Sequence, residues 1–376
     1  MYEDWQFSRT QRAFSSSGEW LKRFHLDSLL LTGIGLLMLY GLFVLYSAAG
    51  ENVRLWQGQI VRFVLALGIM VILAQVPPQW IRRVSPALYV IGVGLLVLVA
   101  VLGDIGKGAQ RWLDLGFIRF QPSELMKLAV PLTCAWWLHE RPIPPSVRDL
   151  GILLLIIGVP AGLIAEQPDL GTAILVSAAG VFVVLLGGLP WRIIATSTGL
   201  LAMAVPVGWH FMHDYQRQRV MTLLDPMQDP LGAGYHIIQS QIAIGSGGVF
   251  GKGWTNGSQA QLEFLPERST DFIFAVVGEE LGLLGQALLL ILYACVIGRA
   301  LFMALDARDT FGRLAGGSIA LTFAVYVVVN AGMVSGILPV VGVPLPLFSY
   351  GGTSAVTLLA GFGILLSIYS HRKLVR

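Results

Sequence analysis

Residues 28–49 run for 22 positions without a charged side chain. At about 1.5 Å of rise per residue a helix of that length covers roughly 33 Å, enough to cross a bilayer's hydrocarbon. Nine further, predominantly apolar runs follow, at 59–76, 84–103, 122–139, 150–165, 171–189, 191–212, 271–299, 313–338 and 350–369. Runs of this length leave few folds open, because a backbone in lipid must satisfy its own amides and does so in helices or closed barrels. The expectation is an all-α, polytopic membrane protein with ten spans in a single domain, residues 1–376. Charged residues form 12% of the chain, half of the roughly 25% usual in soluble domains.

Basic residues orient the chain. With the N-terminus in the cytoplasm, inner segments hold 15 of the 25 Lys and Arg, among them Arg82, Arg83, Arg141, Arg148, Arg299 and Arg308. Nine fall outside, and Lys127 lies within a span. Four of those nine (Arg217, Arg219, Lys252 and Arg268) share one long loop, where they weigh little on topology. Both termini are therefore expected in the cytoplasm. Residues 1–27 form a cytoplasmic segment with no short apolar core and cleavage site. Residues 213–270 form a long extracytoplasmic loop between spans seven and eight. Cys134 and Cys295 lie in separate apolar runs and read as small buried hydrophobes, not as a disulfide or zinc pair.

Two outer segments are too rich to be plain connectors. Residues 104–121 carry Lys107, Arg111, Trp112, Phe117 and Arg119. In 213–270, Tyr235, Ile238, Ile242 and Gly245 recur at helical spacing, as in a helix lying at the interface. Pro226, Pro230 and Pro266 divide the rest. IGSGGVFGKGW (244–254) fails as a phosphate loop, since Ser246 replaces the first glycine and Gly253 follows Lys252 where Ser or Thr is needed. His210, His213 and Asp214 lack further metal ligands nearby. Gly312/Gly316 and Gly332/Gly336 are small-residue pairs for close helix contact or for seating a partner's helix.

Carboxylates gather at the outer mouth of the eighth run. Glu263, Glu267 and Arg268 precede Asp271; Glu279 and Glu280 follow it. On a continuous helix Glu279 lies about 12 Å deeper than Asp271 and roughly 80° around, with Glu280 on the opposite side. The three cannot share one site, so Asp271 is the candidate, and Glu279 and Glu280 are structural or partner-facing. Glu124 and Lys127, three apart, share a helix face. A lone charge at mid-bilayer costs about 2.5–3.5 kcal/mol, so the two should pair, as a structural bridge or as a cavity lining. Asp169 precedes the sixth span and either starts that helix or faces a substrate. Arg111, Arg119, Arg217, Arg219, Lys252 and Arg268 can bind phosphates. The mixture suits a substrate with a lipid tail, a pyrophosphate and a polar head. A transporter of an anionic lipid and a non-catalytic scaffold are its rivals.

Four stretches are more specific: KGAQRWLDLG with FQPSE (107–124), HDYQRQRVMTLLDP with DPLGAGYHIIQSQIAIGSGG (213–248), QLEFLPERSTDFIFAVVGEELG (261–282) and NAGMVSGILPVVGVPLPLFSYGGTS (330–354). They resemble the SEDS family (shape, elongation, division and sporulation) of bacteria, and HDYQRQRV and EFLPERSTDFIF favour its elongation branch. YGGTS stands where many relatives read GGSS, and Thr353 keeps the hydroxyl.

The resemblance implies a ten-span glycosyltransferase of the cytoplasmic membrane that polymerises lipid II at the outer face. It implies a catalytic Asp at Asp271, a buried Glu/Lys pair at Glu124 and Lys127, and an arginine of an RW motif at Arg111. Asp169, Arg217, Arg219, Lys252 and Arg268 complete the expected substrate contacts. A divalent cation, magnesium or manganese, is implied with no ligands assignable from sequence. The implied partners are a class B penicillin-binding protein near spans eight and nine and other elongation-complex membrane proteins, with no nucleic acid. Lipid II translocation is the family's older alternative activity.

Overall fold

The computed structural model describes residues 25–106, 109–114, 119–212, 214–229, 232–262, 264–265 and 267–371. Lys107, Phe117, His213, Pro230, Glu263 and Pro266 lie outside the described residues.

Each expected span contains a helix. The first seven are α1 (Ser28–Ala48), α2 (Val53–Gln75), α3 (Pro78–Leu102), α4 (Pro122–Leu138), α5 (Val147–Glu166), α6 (Leu170–Leu186) and α7 (Trp191–Phe211). The long outer loop folds into α8 (Asp214–Leu224), a 3-10 turn at Pro226–Gln228, α9 (Ala233–Gly247) and the short α10 (Ser258–Gln261). The last three spans are α11 (Ile273–Leu305), α12 (Thr310–Val334) and α13 (Thr353–Ser370). Among the described residues seven helices (α1, α2, α3, α5, α11, α12 and α13) are long and apolar enough to cross a membrane, and α6 is a shorter apolar helix of the same kind.

Side-chain caps begin several helices, satisfying amides that the helix leaves unpaired. Asp27 accepts from Leu30 N, Asn52 from Leu55 N, Asp169 from Thr172 N and Asp309 from Gly312 N. Ser146 and Asp149 form a reciprocal capping box at α5. Asp27 has a second duty, a bidentate pair with Arg299 (2.6 and 3.0 Å) that ties the start of α1 to α11.

Two hydrophobic clusters carry the packing. One unites α1, α2, α11, α12 and α13; the other unites α3 to α6 with the inner parts of α12 and α13. α12 and α13 thus join both halves. α7 contributes to neither cluster among its described residues, and Trp191, Leu200 and Met203 are largely exposed. Cys134 is buried, but Cys295 is exposed, which corrects its reading as a buried hydrophobe.

Residues 104–121 hold the non-helical element that a helical pattern does not announce. Strands β1 (Asp104–Gly106), β2 (Ala109–Asp114) and β3 (Arg119–Phe120) form an antiparallel sheet in the order β1-β2-β3, with Arg111 on the central strand.

The eighth span departs from the continuous helix expected of it. Asp271 precedes the helix in a turn, and α11 breaks at Gly282, where φ is 65° and ψ is −163°. Only glycine adopts that conformation freely, and an added Cβ would sit 2.4 Å from Gly251 N. Loop 248–253 lies against the break and replaces the lost helical bonds. Leu283 N donates to Gly248 O (3.0 Å) and Leu284 N to Val249 O (3.2 Å). Lys252 N donates to Glu279 O (2.9 Å) and Gly253 N to Glu280 O (3.0 Å). A broken helix is tolerated at membrane depth when protein satisfies the freed groups. The glycine-rich stretch that fails as a phosphate loop is therefore a splint for α11.

α9 packs inward through positions other than those whose spacing announced the helix. Its buried positions are Gly234, Ile237, Ser240, Ala243 and Gly247; Tyr235 and Ile238 are half-buried, and Ile242 and Gly245 are exposed. The reason is close approach to α11, since a Cβ on Gly247 would meet Gly278 O at 1.9 Å. The second small-residue pair also changes role. Gly336 lies beyond the end of α12, with φ at 76°, and marks a turn. Gly312 and Gly316 pack on Ile368 and Leu365 of α13, so this chain fills that groove itself.

Candidate active site

The backbone around Asp271 is fixed from the C-terminal third of the chain. Three successive carbonyls each receive a donor: Tyr350 N reaches Ser269 O at 2.8 Å, Ser349 Oγ reaches Thr270 O, and Asn330 Nδ2 reaches Asp271 O at 2.8 Å. The same Asn330 amide donates to Val343 O at 2.8 Å, and Ser349 Oγ accepts from Leu345 N. From the other side, Thr270 N and Phe272 N both donate to Glu267 O. The Asp271 carboxylate lies beside Gly342, whose φ of 72° turns the chain there. The side chain is partly exposed while its backbone is held.

A second group adjoins through α12 and the segment after it. Arg111 donates from Nε to Gln167 O (3.1 Å) and from Nη2 to Pro168 O. Its Nε is 4.0 Å from Asp169 Oδ2, which also accepts from Gln121 Nε2 at 3.1 Å. Asp169 therefore starts α6, one of the two roles left open by the sequence, and holds its other oxygen toward Arg111 and Gln121. Gly171, two residues on, lies against Val341 O, the residue before Gly342. Below this group Glu124 and Lys127 are paired at 2.7 Å and nearly fully buried. Lys127 Nζ also sits over the Tyr326 ring, 5.2 Å from its centroid. Tyr326 and Asn330 are one turn apart on α12, so a single helix face runs from the buried pair to the Asp271 carbonyl.

The remaining expected contacts are tied elsewhere. Lys252 Nζ is 2.7 Å from Glu279 Oε1. Glu279 is fully buried and also accepts from Ser258 Oγ and from the amides of Gln259 and Ala260. Lys252 thus belongs to a latch between loop and helix. Glu280 accepts from Ser47 Oγ on α1. Arg217 caps α7, donating to Trp209 O (3.0 Å) and His210 O (2.9 Å). Arg268 donates to Ala260 O. Arg219 lies on α8 and Arg119 on β3. Glu279 and Glu280 thus take partners on loop 252–260 and α1, different from those that hold the Asp271 backbone.

Residues 23–374 match the FtsW/RodA/SpoVE family of cell cycle proteins. The chain belongs to that family. The peptidoglycan glycosyltransferase MrdB of Escherichia coli K12 is 55% identical over 352 residues, covering 93% of this chain and 95% of that protein. A probable peptidoglycan glycosyltransferase FtsW of Trichlorobacter lovleyi is 36% identical over 361 residues, covering 93% and 94%. Among solved structures, the rod shape determining protein RodA of Thermus thermophilus aligns at a TM-score of 0.71 and 33% identity, covering 92% of this chain and 97% of that one. A chain of a peptidoglycan synthase complex, solved to describe how polymerization and crosslinking are coordinated, aligns at 0.82 and 36%, covering 93% and 98%. With its apolar helices, this FtsW/RodA/SpoVE protein is a multi-pass inner-membrane protein.

Some residues of this family member's candidate site were not singled out by composition or spacing. Asn330 and Ser349 lie within the NAGMVSG…LFSYGG stretch, but their partners are 59 and 79 residues away. Arg62 on α2 stacks over the Tyr350 ring at 4.3 Å and lies along Gly352. Its Nη1 is buried with no hydrogen-bond partner among the described residues. His236 on α9 stacks on Phe272, next to Asp271, with ring centroids 5.4 Å apart. Burial pushes the His236 imidazole below its ordinary pKa, and the Glu267 and Asp229 carboxylates oppose that shift. No three His, Cys, Asp or Glu side chains among the described residues converge as a metal site. The residues described thus supply no ligand set for the expected divalent cation, and no step below is routed through one.

Proposed function

We propose that this chain is a peptidoglycan glycosyltransferase that polymerises lipid II into glycan strands during cell-wall elongation, with Asp271 as general base. The observation that carries the reading is the restrained Asp271 backbone with a partly exposed carboxylate, beside the Arg111–Asp169–Gln121 group. A base must be held within hydrogen-bond reach of the proton that it takes, and a general base contributes about 10²–10⁴-fold. The 4-hydroxyl of the acceptor GlcNAc gives its proton to the Asp271 carboxylate as its oxygen bonds to the anomeric carbon of MurNAc. The bond from that carbon to the pyrophosphate breaks, and undecaprenyl pyrophosphate leaves with the electron pair.

Cationic groups at the site stabilise the departing charge. Arg62, whose Nη1 has no hydrogen-bond partner among the described residues, is better placed for this than Lys252 and Arg217, whose donors are engaged, and Arg111 offers only the donors that Gln167 O and Pro168 O leave open. Arg219 and Arg268 remain candidates at the rim of the outer loop. Glu124 and Lys127 support, through Tyr326, the α12 face that carries Asn330. A divalent cation, magnesium or manganese, would add charge neutralisation at the pyrophosphate, and none of the steps above passes through it. The ten helices form ten spans with both termini in the cytoplasm, residues 1–376 acting as one domain and the Asp271 site facing the periplasm. A class B penicillin-binding protein docks its helix near α11 and α12, and other elongation-complex membrane proteins join it.

Reconstitution of the full chain into liposomes with labelled lipid II tests the reading. Glycan polymer is the expected product. Lipid moved across the bilayer without polymer would favour translocation, and neither product would favour a scaffold.

A further inference from the structure

At the opposite end of the bundle from Asp271, α3, the end of α4 and the turn after it line an open cavity of about 330 Å³ formed by Arg82, Trp136, Trp137, His139, Glu140 and Arg141. Two hydrogen-bond donors meet at its wall. The Phe311 backbone N–H, one of the amides left open at the start of α12, donates to His139 Nδ1 at 3.3 Å. A backbone N–H can only donate, so Nδ1 carries the lone pair and the hydrogen of the neutral ring lies on Nε2. Nε2 faces Arg82 Nη1 in direct contact. A guanidinium is also a donor only. An N–H therefore points at an N–H, and turning the ring over would set carbon against the Phe311 amide and lose its acceptor.

The carboxylate nearby does not resolve this. Asp149 is occupied by Arg141 (3.4 Å), Trp137 Nε1 (3.2 Å) and Ser146. Arg82 makes no ion pair among the described residues, and the exposed Glu140 makes none either. Arg141 lies on the Trp137 ring at 3.7 Å and donates to Trp137 O, which fixes a second cation at the cavity. Two facing donors with cations beside them call for an anionic oxygen, and phosphate oxygens suit guanidinium geometry best. Trp136 is 39% exposed at the same rim, as indoles are at the headgroup level of a bilayer.

We propose that this cavity is a phosphate-binding site on the cytoplasmic face, whose oxygens accept the hydrogen bonds that Arg82 and His139 Nε2 cannot give each other. The phosphate comes from an anionic phospholipid headgroup or from a soluble phosphate. The site stands independently of the glycosyl-transfer reading.

Full-length protein in detergent micelles, mixed with dioleoylphosphatidylglycerol or with dioleoylphosphatidylcholine, is analysed by native mass spectrometry; ³¹P line broadening of inorganic phosphate is measured separately. Wild type is expected to retain phosphatidylglycerol over phosphatidylcholine. Arg82→Gln should lower that retention about tenfold, the loss of one charge-assisted hydrogen bond, and Arg82→Lys should lower it less. Glu140→Gln removes the carboxylate of the cavity lining, which makes no ion pair among the described residues, and should raise retention, a gain that misfolding cannot imitate. Broadening of inorganic phosphate that depends on Arg82, without lipid preference, assigns the site to a soluble source. Equal retention in wild type and Arg82→Gln with no phosphate broadening overturns the proposal, as does a Glu140→Gln variant that gains neither lipid nor phosphate.

Discussion

Asn330 holds Asp271 by its backbone and leaves its carboxylate untouched: the amide Nδ2 lies 2.8 Å from the Asp271 carbonyl oxygen. Position and chemistry at residue 271 are thus controlled by different atoms, and substitutions can separate them.

Asp271→Asn keeps the carbonyl that Asn330 binds and removes the proton acceptor. The variant should insert and unfold thermally as wild type does, while polymer from purified lipid II falls by about 10²–10⁴-fold. Gel analysis of the glycan product checks it, and near-normal polymer would remove Asp271 from the role of base.

Asn330→Ala deletes the donor to two carbonyls, those of Asp271 and Val343. An unsatisfied buried group costs about 1–3 kcal/mol, so the melting temperature in detergent should fall. Asn330→Asp keeps the size and loses the N–H, so it should be no better. Polymerisation should drop in both beyond what the folded fraction explains, because Asp271 loses its anchor.

Lys252→Met distinguishes a structural latch from a phosphate ligand. Glu279 would keep three donors, Ser258 and two amides, but lose its charge partner. Stability should fall by roughly 1–3 kcal/mol, with activity per folded molecule near wild type. A large rise in KM for lipid II at unchanged melting temperature would return Lys252 to the substrate.

His236 gives a pH dependence of known sign. Its folded pKa lies below the ordinary 6.5, chiefly through burial, so between the two values the unfolded chain binds the extra proton. Stability is then full above about pH 6.5 and declines as pH falls below it. Melting curves from pH 7.5 down to 5.5 should show that decline, and His236→Phe, which preserves the stack on Phe272, should flatten it.

Run length and the Asp169 cap were legible in the sequence because both are local. A 22-residue uncharged stretch has one helical solution in lipid, and Asp169 offers a helix start by its position before the sixth span, whereas the Asp27 and Asp309 caps show only in the structure. The Glu124–Lys127 pair was legible for the same reason, being three residues apart. Other features depend on contacts remote in sequence. GEELGLLG reads as unbroken helix, and only loop 248–253 lying alongside explains why Gly282 leaves it. Amphipathic spacing in α9 pointed to its apolar side, whereas its glycines and Ser240 set the buried face, since small residues let it press on α11. Arg62 is unremarkable in its own run; the Tyr350 ring, almost 300 positions on, gives it meaning.

The three capped carbonyls at 269–271 also order events in biosynthesis. A nascent chain that has emerged as far as Arg299 already contains Asp271 and Glu279, yet Asn330, Ser349 and Tyr350 have not been made. Its aspartate has no fixed backbone until α12 and the segment before α13 have inserted. A truncated or half-inserted chain therefore carries the carboxylate proposed as base without the backbone contacts that place it, and those contacts are complete only once Tyr350 has been made.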